Sequence, residues 1–173
     1  MTHQNLDLYN PKYIKSGKFL LATGNSLELF GKYISAQNGK KYNGLNIFDY
    51  YAVEKPTRIV CESIFTSKFV EDRVIGFQNR CSVLKKVSSS WFNVEQGYGS
   101  ELNKKYEGVH INNFFGTYLI GPLLVRNPEL LKRFGDMLVL NVNSKYSLRN
   151  LDLKLEKEAY ERNLKRYQEK NSK

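Results

Sequence analysis

The stretch LLATGNSLELFGKYI, residues 20–34, decides how this chain is read. An apolar run from Phe19 to Ala22 stops abruptly at Thr23-Gly24-Asn25-Ser26. An amphipathic pattern then follows at Leu27, Leu29, Phe30, Tyr33 and Ile34. The spacing predicts a strand over 18–22, a sharp turn, and a helix over 26–34. In α/β enzymes a strand–turn–helix unit displays a nucleophile, because the turn lifts one side chain clear of the sheet beside backbone N–H groups. The residue at the point of this turn is Gly24, which has no side chain to display.

Outward from that unit, residues 10–16 end a short helix, and SAQNGKKYNG (35–44) is a turn by its Asn-Gly pairs. Strand-like runs follow at 45–53, 57–65 and 73–80, with a weaker one at 82–89. GYGSE (97–101) reads as a loop, and VHINNFFGTYLI (109–120) as two strand pieces joined around Asn112-Asn113. A helix opens at Asn127-Pro128-Glu129 and runs to about Leu140, with Asn127 as N-cap and Pro128 at the first helical position. The charged tail from Leu151 to about Tyr167 carries a sparse apolar stripe of Leu155, Ala159, Leu164 and Tyr167, as a helix lying on the body does. With no internal repeat or Pro/Gly-rich linker, residues 1–173 parse as a single domain.

A hydrophobic content of 41% can furnish a core for an α/β domain of this length. No apolar run approaches the roughly 18–20 residues of a membrane span, and the first residues lack the apolar segment of a secretory signal. The expected location is cytoplasmic. Cys61 and Cys81 read as reduced, buried thiols, and with His3 and His110 the only histidines no metal site or cofactor is expected. The net charge of +10 invites a nucleic-acid reading. No recognition signature accompanies the basic doublets, so the lysines are read as spread over solvated faces.

The stretch ATGNSLELFGKYISAQNGKKYNGLNIFDYY (22–51) resembles the nucleophile region of class I glutamine amidotransferases of the cobyric-acid-synthase-like branch. Within that branch it is nearest the glutaminase-subunit family of the lipid II isoglutaminyl synthases. GFQNR (76–80) resembles the family's G-F-E-N-H, and GYGSE stands at its G-x-G-N-N loop. EGVHINNFFGTYLIGPLLVRNPELLKRF (107–134) resembles a block that ends G-T-Y-L-H-G-P-L-L-x-x-N-P-E-L. The blocks run in order from about residue 10 to 168, and the most specific is GTYLIGPLL (116–124). The resemblance implies a flavodoxin-like three-layer α/β sandwich, truncated at the N-terminus, since 23 residues precede Gly24. In the family, the oxyanion-hole glycines lie on βα units upstream of the nucleophile. Such donors lower the barrier by about 3–4 kcal/mol.

Position by position, the family's catalytic cysteine falls at Gly24 and its catalytic histidine at Ile120. Arg58 matches an arginine that the family uses to bind the glutamine carboxylate. Amide hydrolysis there requires a thiolate to attack the carbonyl carbon and a base to take the thiol proton and return it to the leaving ammonia. Gly24 has no atom to attack with, and Ile120 exchanges no proton at any pH. Losing either member of such a unit removes most of the catalysis. The hydroxyls of Thr23 and Ser26 flank the turn but have no histidine at the matched base position.

The resemblance therefore implies a catalytically inactive amidotransferase-like protein that binds or scaffolds a partner, either a Mur-ligase-like enzyme of peptidoglycan precursor amidation or a second copy of the chain. Removing strands from a doubly wound sheet exposes an edge that such a partner would cover. The alternatives are an active glutaminase with displaced or partner-supplied catalytic residues, and a basic nucleic-acid-binding module.

Overall fold

The computed structural model describes residues 11–142, 148 and 151–170. Asn10, expected in the first helix, and His3 lie outside them. Helix α1 (Pro11–Lys15) leads through Gly17, at φ +78°, into β1 (Leu20–Thr23). The strand expected here is present, but the helix expected over 26–34 is not. Residues Gly24–Phe30 form a 3-10 helix, and β2 (Tyr33–Ser35) follows. The apolar pattern also fits a three-residue repeat: Leu27 and Phe30 are buried, whereas Leu29 is 44% exposed. Gly31 then takes extended backbone (φ −78°, ψ −174°), packed so closely on Tyr50 that a Cβ would lie 2.6 Å from its carbonyl oxygen.

β2 turns through residues 36–40 into β3 (Lys41–Asn43). Ala36 N–H donates to Lys40 O at 2.8 Å, and Gly39 sits at φ +83°. The Asn38-Gly39 signal marks a hairpin tighter than the turn expected over 35–44. Beyond it, β4 (Tyr51–Thr66) and β5 (Val74–Lys85) each fuse two of the expected strand runs. They pair antiparallel, and the register shifts between Glu54 and Ile59, around Pro56. Proline has no N–H for the ladder, so a strand accepts it where the ladder is interrupted.

β6 (Phe92–Gln96), β7 (Tyr106–Glu107), β8 (Val109–Ile111), β9 (Phe114–Thr117) and β10 (Leu119–Ile120) complete the strands among the described residues. β8 and β9 divide around Asn112-Asn113 as expected, with Asn112 at φ +52°. The fold is mixed α/β. One sheet runs β1-β9-β8, and the other runs β10-β5-β4-β2-β3 with β6 on β4 and β7 on β6. Parallel pairing occurs between β1 and β9 and between β2 and β4. The other pairings are antiparallel, and the long β4–β5 hairpin was not foreseen.

Helix α2 (Pro128–Val142) begins where expected, and the Asn127 carbonyl accepts from Leu131 N–H at 2.9 Å. The Asn127 side chain, expected to cap the helix, is directed elsewhere. Its Oδ1 accepts from Ile75 N–H (2.8 Å), while Nδ2 donates to Ile75 O (2.8 Å) and Leu123 O (2.7 Å). Helix α3 (Lys154–Lys170) lies on the β4–β5 hairpin, burying Tyr167 against Ile64 and Ile75 with Tyr160 and Leu164 beside them. Leu155, expected in the buried stripe, is 76% exposed, and Ala159 is exposed too. Tyr160, whose hydroxyl donates to Arg73 O at 2.9 Å, takes that role instead.

Candidate functional site

The end of β1 is held beside the end of β9 by the parallel register Thr23↔Thr117. Thr23 keeps extended backbone (φ −117°, ψ 149°), and Gly24 turns to φ +61°, a conformation that residues with side chains seldom adopt. The turn is locked from below. Tyr50 OH donates to Leu27 O at 2.7 Å, and Leu27 fills the space left by Gly116, where a Cβ would come within 2.2 Å of Leu27 Cδ1. On the other side of the turn stands Ile120, on β10. A Cβ on Gly24 would meet Ile120 Cγ2 at 3.0 Å. The two positions singled out in the sequence are thus brought face to face, and between them they present hydrogen and hydrocarbon.

Beyond the adjoining residues, no other candidate side chain lies within 4 Å of a Cβ placed on Gly24. Ser26 Oγ is turned back to donate to Thr23 O at 2.7 Å. Arg58 is exposed on β4, and its Nη1 donates to Asn79 Oδ1 at 2.8 Å across the hairpin. Cys61 and Cys81 are free thiols, each half-buried rather than in the core as expected. Cys61 Sγ meets Ser63 Oγ at 3.3 Å. His110 packs and hydrogen-bonds as expected, with its ring 4.3 Å from that of Phe115 and its Nε2 3.0 Å from Asn112 O. No thiol–imidazole contact occurs among the described residues.

Behind the turn lies a buried ionic cluster that the sequence reading missed. Arg80 is 1% exposed, although an isolated charge in such a place would be prohibitive. All three guanidinium nitrogens are engaged. Nε donates to Gln78 Oε1 at 2.8 Å, Nη1 to the Ser82 and Ser100 carbonyls, and Nη2 to the Gly99 carbonyl. Its Cζ lies 4.2 Å from the Tyr118 ring centroid. Two carboxyl groups flank it: Glu28 on the 3-10 helix and Glu107 on β7. A signal for this was available, since strand alternation puts Gln78, Arg80 and Ser82 on the same inward face of β5.

Glu107 ties β7 to the junction of β9 and β10. Its Oε2 accepts from Thr117 Oγ1 at 2.7 Å and its Oε1 from Tyr118 N–H at 2.8 Å. Full burial pushes its pKa up to about 7, against the opposing pull of these bonds and of Arg80. Burial also raises Glu28, partly offset by Ser82, Tyr118 and Arg80. Glu28 Oε1 and the Tyr118 hydroxyl are close neighbours without a hydrogen bond of normal geometry. The cluster fixes the backbone on both sides of the Gly24–Ile120 contact and is itself closed to solvent.

The sequence profile of the CobB/CobQ-like glutamine amidotransferase domain matches residues 6–128. The chain is similar to the lipid II isoglutaminyl synthase (glutamine-hydrolyzing) subunit GatD of Staphylococcus aureus, 30% identical over 117 residues, which is 68% of this chain and 48% of that protein. It is also similar to the subunit of the same name from Streptococcus pneumoniae, 29% identical over 124 residues, 70% of this chain and 48% of that protein. The chain spans about half the length of the curated relatives it matches.

Proposed function

Because this chain belongs to the CobB/CobQ-like glutamine amidotransferase domain family, we propose that it is a catalytically silent member whose role is to bind a partner rather than to hydrolyse glutamine. The observation that carries this reading is the contact between Gly24 and Ile120. The backbone that would present a nucleophile is in place, and the residue opposite it is close enough to act, yet neither has an atom able to attack a carbonyl or carry a proton. A preserved pedestal without its chemistry points to retention for shape.

On this reading residues 1–173 are one domain carrying the nucleophile-turn portion of a flavodoxin-like three-layer sandwich. The partner is a Mur-ligase-like enzyme of peptidoglycan precursor amidation, met in the cytoplasm, or a second copy of the chain. Three observations support a partner. The relatives are named as subunits. β1 has no strand on its outer side among the described residues. The C-terminal half of α2 leaves Leu138, Leu140 and Val142 exposed. No described helix is long and apolar enough to cross a membrane. Arg58 is proposed as a retained contact for the glutamine carboxylate: it is exposed, and its bond to Asn79 uses one of five N–H donors.

The deciding experiment measures ammonia release from glutamine by the purified protein, alone and with candidate partners. No release above background is expected, while calorimetry should detect glutamine binding that Arg58→Ala abolishes. Turnover that disappears in Cys81→Ala or Ser26→Ala would overturn the silent assignment and leave a displaced nucleophile as the explanation.

A further inference from the structure

The Arg80 cluster holds more acid than its cation can balance. Glu28 and Glu107 are 3% and 0% exposed, and Arg80 is the cation that acts on both. Among the described residues, neither carboxyl receives a hydrogen bond from the guanidinium. Its donors go to Gln78 and to the carbonyls of Ser82, Gly99 and Ser100. One buried cation offsets one carboxylate, so a second ionised acid beside it would leave a buried charge without compensation.

The two acids differ in what holds them. Glu107 is tied within the sheet by the Thr117 hydroxyl and the Tyr118 N–H. Glu28 has weaker support, because its Oε1 has no partner, and neither has the neighbouring Tyr118 hydroxyl. A neutral Glu28 can donate to the Tyr118 oxygen without placing a charge in the interior. The other groups facing Glu28 are Ser82 on β5, Glu54 on β4 and Tyr50 just before β4, and none of them is a cation. Cys61 on β4 acts on Arg80 and brings no positive charge either.

Glu28 and Tyr118 also join the two sides of the slot. Glu28 shares the short 3-10 helix with Gly24, and Tyr118 directly precedes the strand that carries Ile120. A 3-10 helix has poor hydrogen-bond geometry, and Asn25 and Ser26 at the start of this one are exposed, so it is the element that yields.

We propose that Glu28 is a proton-operated latch: protonated, it holds the Gly24 turn against the strand end that carries Ile120, and on losing the proton it lets the turn draw away and the slot widen. Burial raises the Glu28 carboxyl above its ordinary range, partly offset by Ser82, Tyr118 and Arg80. The seated turn therefore binds the proton more tightly than the released one, and seating is lost as pH rises. The latch operates whether or not glutamine is hydrolysed.

The test is NMR of the full chain, labelled at backbone nitrogens, isoleucine methyls and glutamate carboxyls, from about pH 5 to 9, where buried carboxyls release their protons. The Gly24 amide, Ile120 methyl and Glu28 carboxyl signals are expected to titrate with one midpoint. The Ile64 methyl, packed under α3, should stay flat, which separates the latch from general unfolding. Glu28→Gln, neutral at every pH, should abolish the Gly24 response. Glu107→Gln leaves Arg80 to balance Glu28 alone, so the shared midpoint should move to lower pH. A Gly24 amide that does not titrate, a Gly24 response that survives Glu28→Gln, or a midpoint unmoved by Glu107→Gln would each overturn the latch.

Discussion

Gly24 and Ile120 stand opposed across the end of β1, so close that a Cβ on Gly24 would lie 3.0 Å from Ile120 Cγ2. That relationship sets a stability cost on refilling the slot. Gly24→Ala places a side chain at φ +61° and drives a methyl to 3.0 Å from Ile120 Cγ2. The expected loss is about 1–3 kcal/mol in urea unfolding. Ile120→Ala removes the opposing methyl, so the double variant should lose less than the sum of the single losses. Strict additivity would show that backbone strain alone is responsible.

Arg80 is the cation on which two buried carboxyl groups depend. Arg80→Met strips Glu28 and Glu107 of that charge and leaves the Gly99 and Ser82 carbonyls without their donor. Removing one partner of a buried ionic group costs roughly 3–5 kcal/mol. Arg80→Lys keeps the charge but not the planar fork, and should recover only part of the loss. Thermal melting of the two variants checks this, and a melt like that of the wild type for Arg80→Met would show the cluster to be passive.

Glu107 makes the fold prefer mild acid. With its folded pKa pushed up to about 7, the native state holds a proton that the unfolded chain releases at the ordinary carboxylate value. Stability should therefore fall as pH rises from about 4.5 to 7 and level off above that. The amplitude is about 3 kcal/mol. Glu28 shifts in the same direction and adds to the slope. Urea midpoints measured across this range should decline for the wild type and flatten in Glu107→Gln, whose amide remains neutral throughout. A wild-type midpoint that climbs over the same interval would contradict the assignment.

Asn127 acts as a clamp between α2 and β5. Asn127→Ala removes three hydrogen bonds and leaves both backbone groups of Ile75 without partners in a buried strand. A loss of about 2–4 kcal/mol is expected, together with faster amide exchange at Ile75. If the side chain served only as a helix cap, the loss would be about 1 kcal/mol and exchange at Ile75 would not change.

Much of the local structure was legible. The β1 strand, the turn at Gly24, the break at Asn112-Asn113 and the start of α2 all follow from apolar periodicity and turn chemistry. The misreadings share one cause. Residues 26–34 carry an apolar spacing that a helix and a 3-10 turn satisfy equally well, and contact with Tyr50 made the choice. The expected runs 45–53 and 57–65 stop on either side of Pro56, which is instead carried within β4 where its register with β5 shifts. Asn127 occupies the expected place but serves a strand far from it in sequence.

By itself the sequence determined that Gly24 and Ile120 supply neither a nucleophile nor a base in any conformation. Only the tertiary structure decided that these two residues meet, that Arg80 lies buried near Glu28 and Glu107, and that Trp91 keeps a buried N–H without an acceptor. Side-chain chemistry is a property of each residue alone. Opposition, burial and orphaned donors are properties of pairs brought together by strand register, which distant segments set jointly.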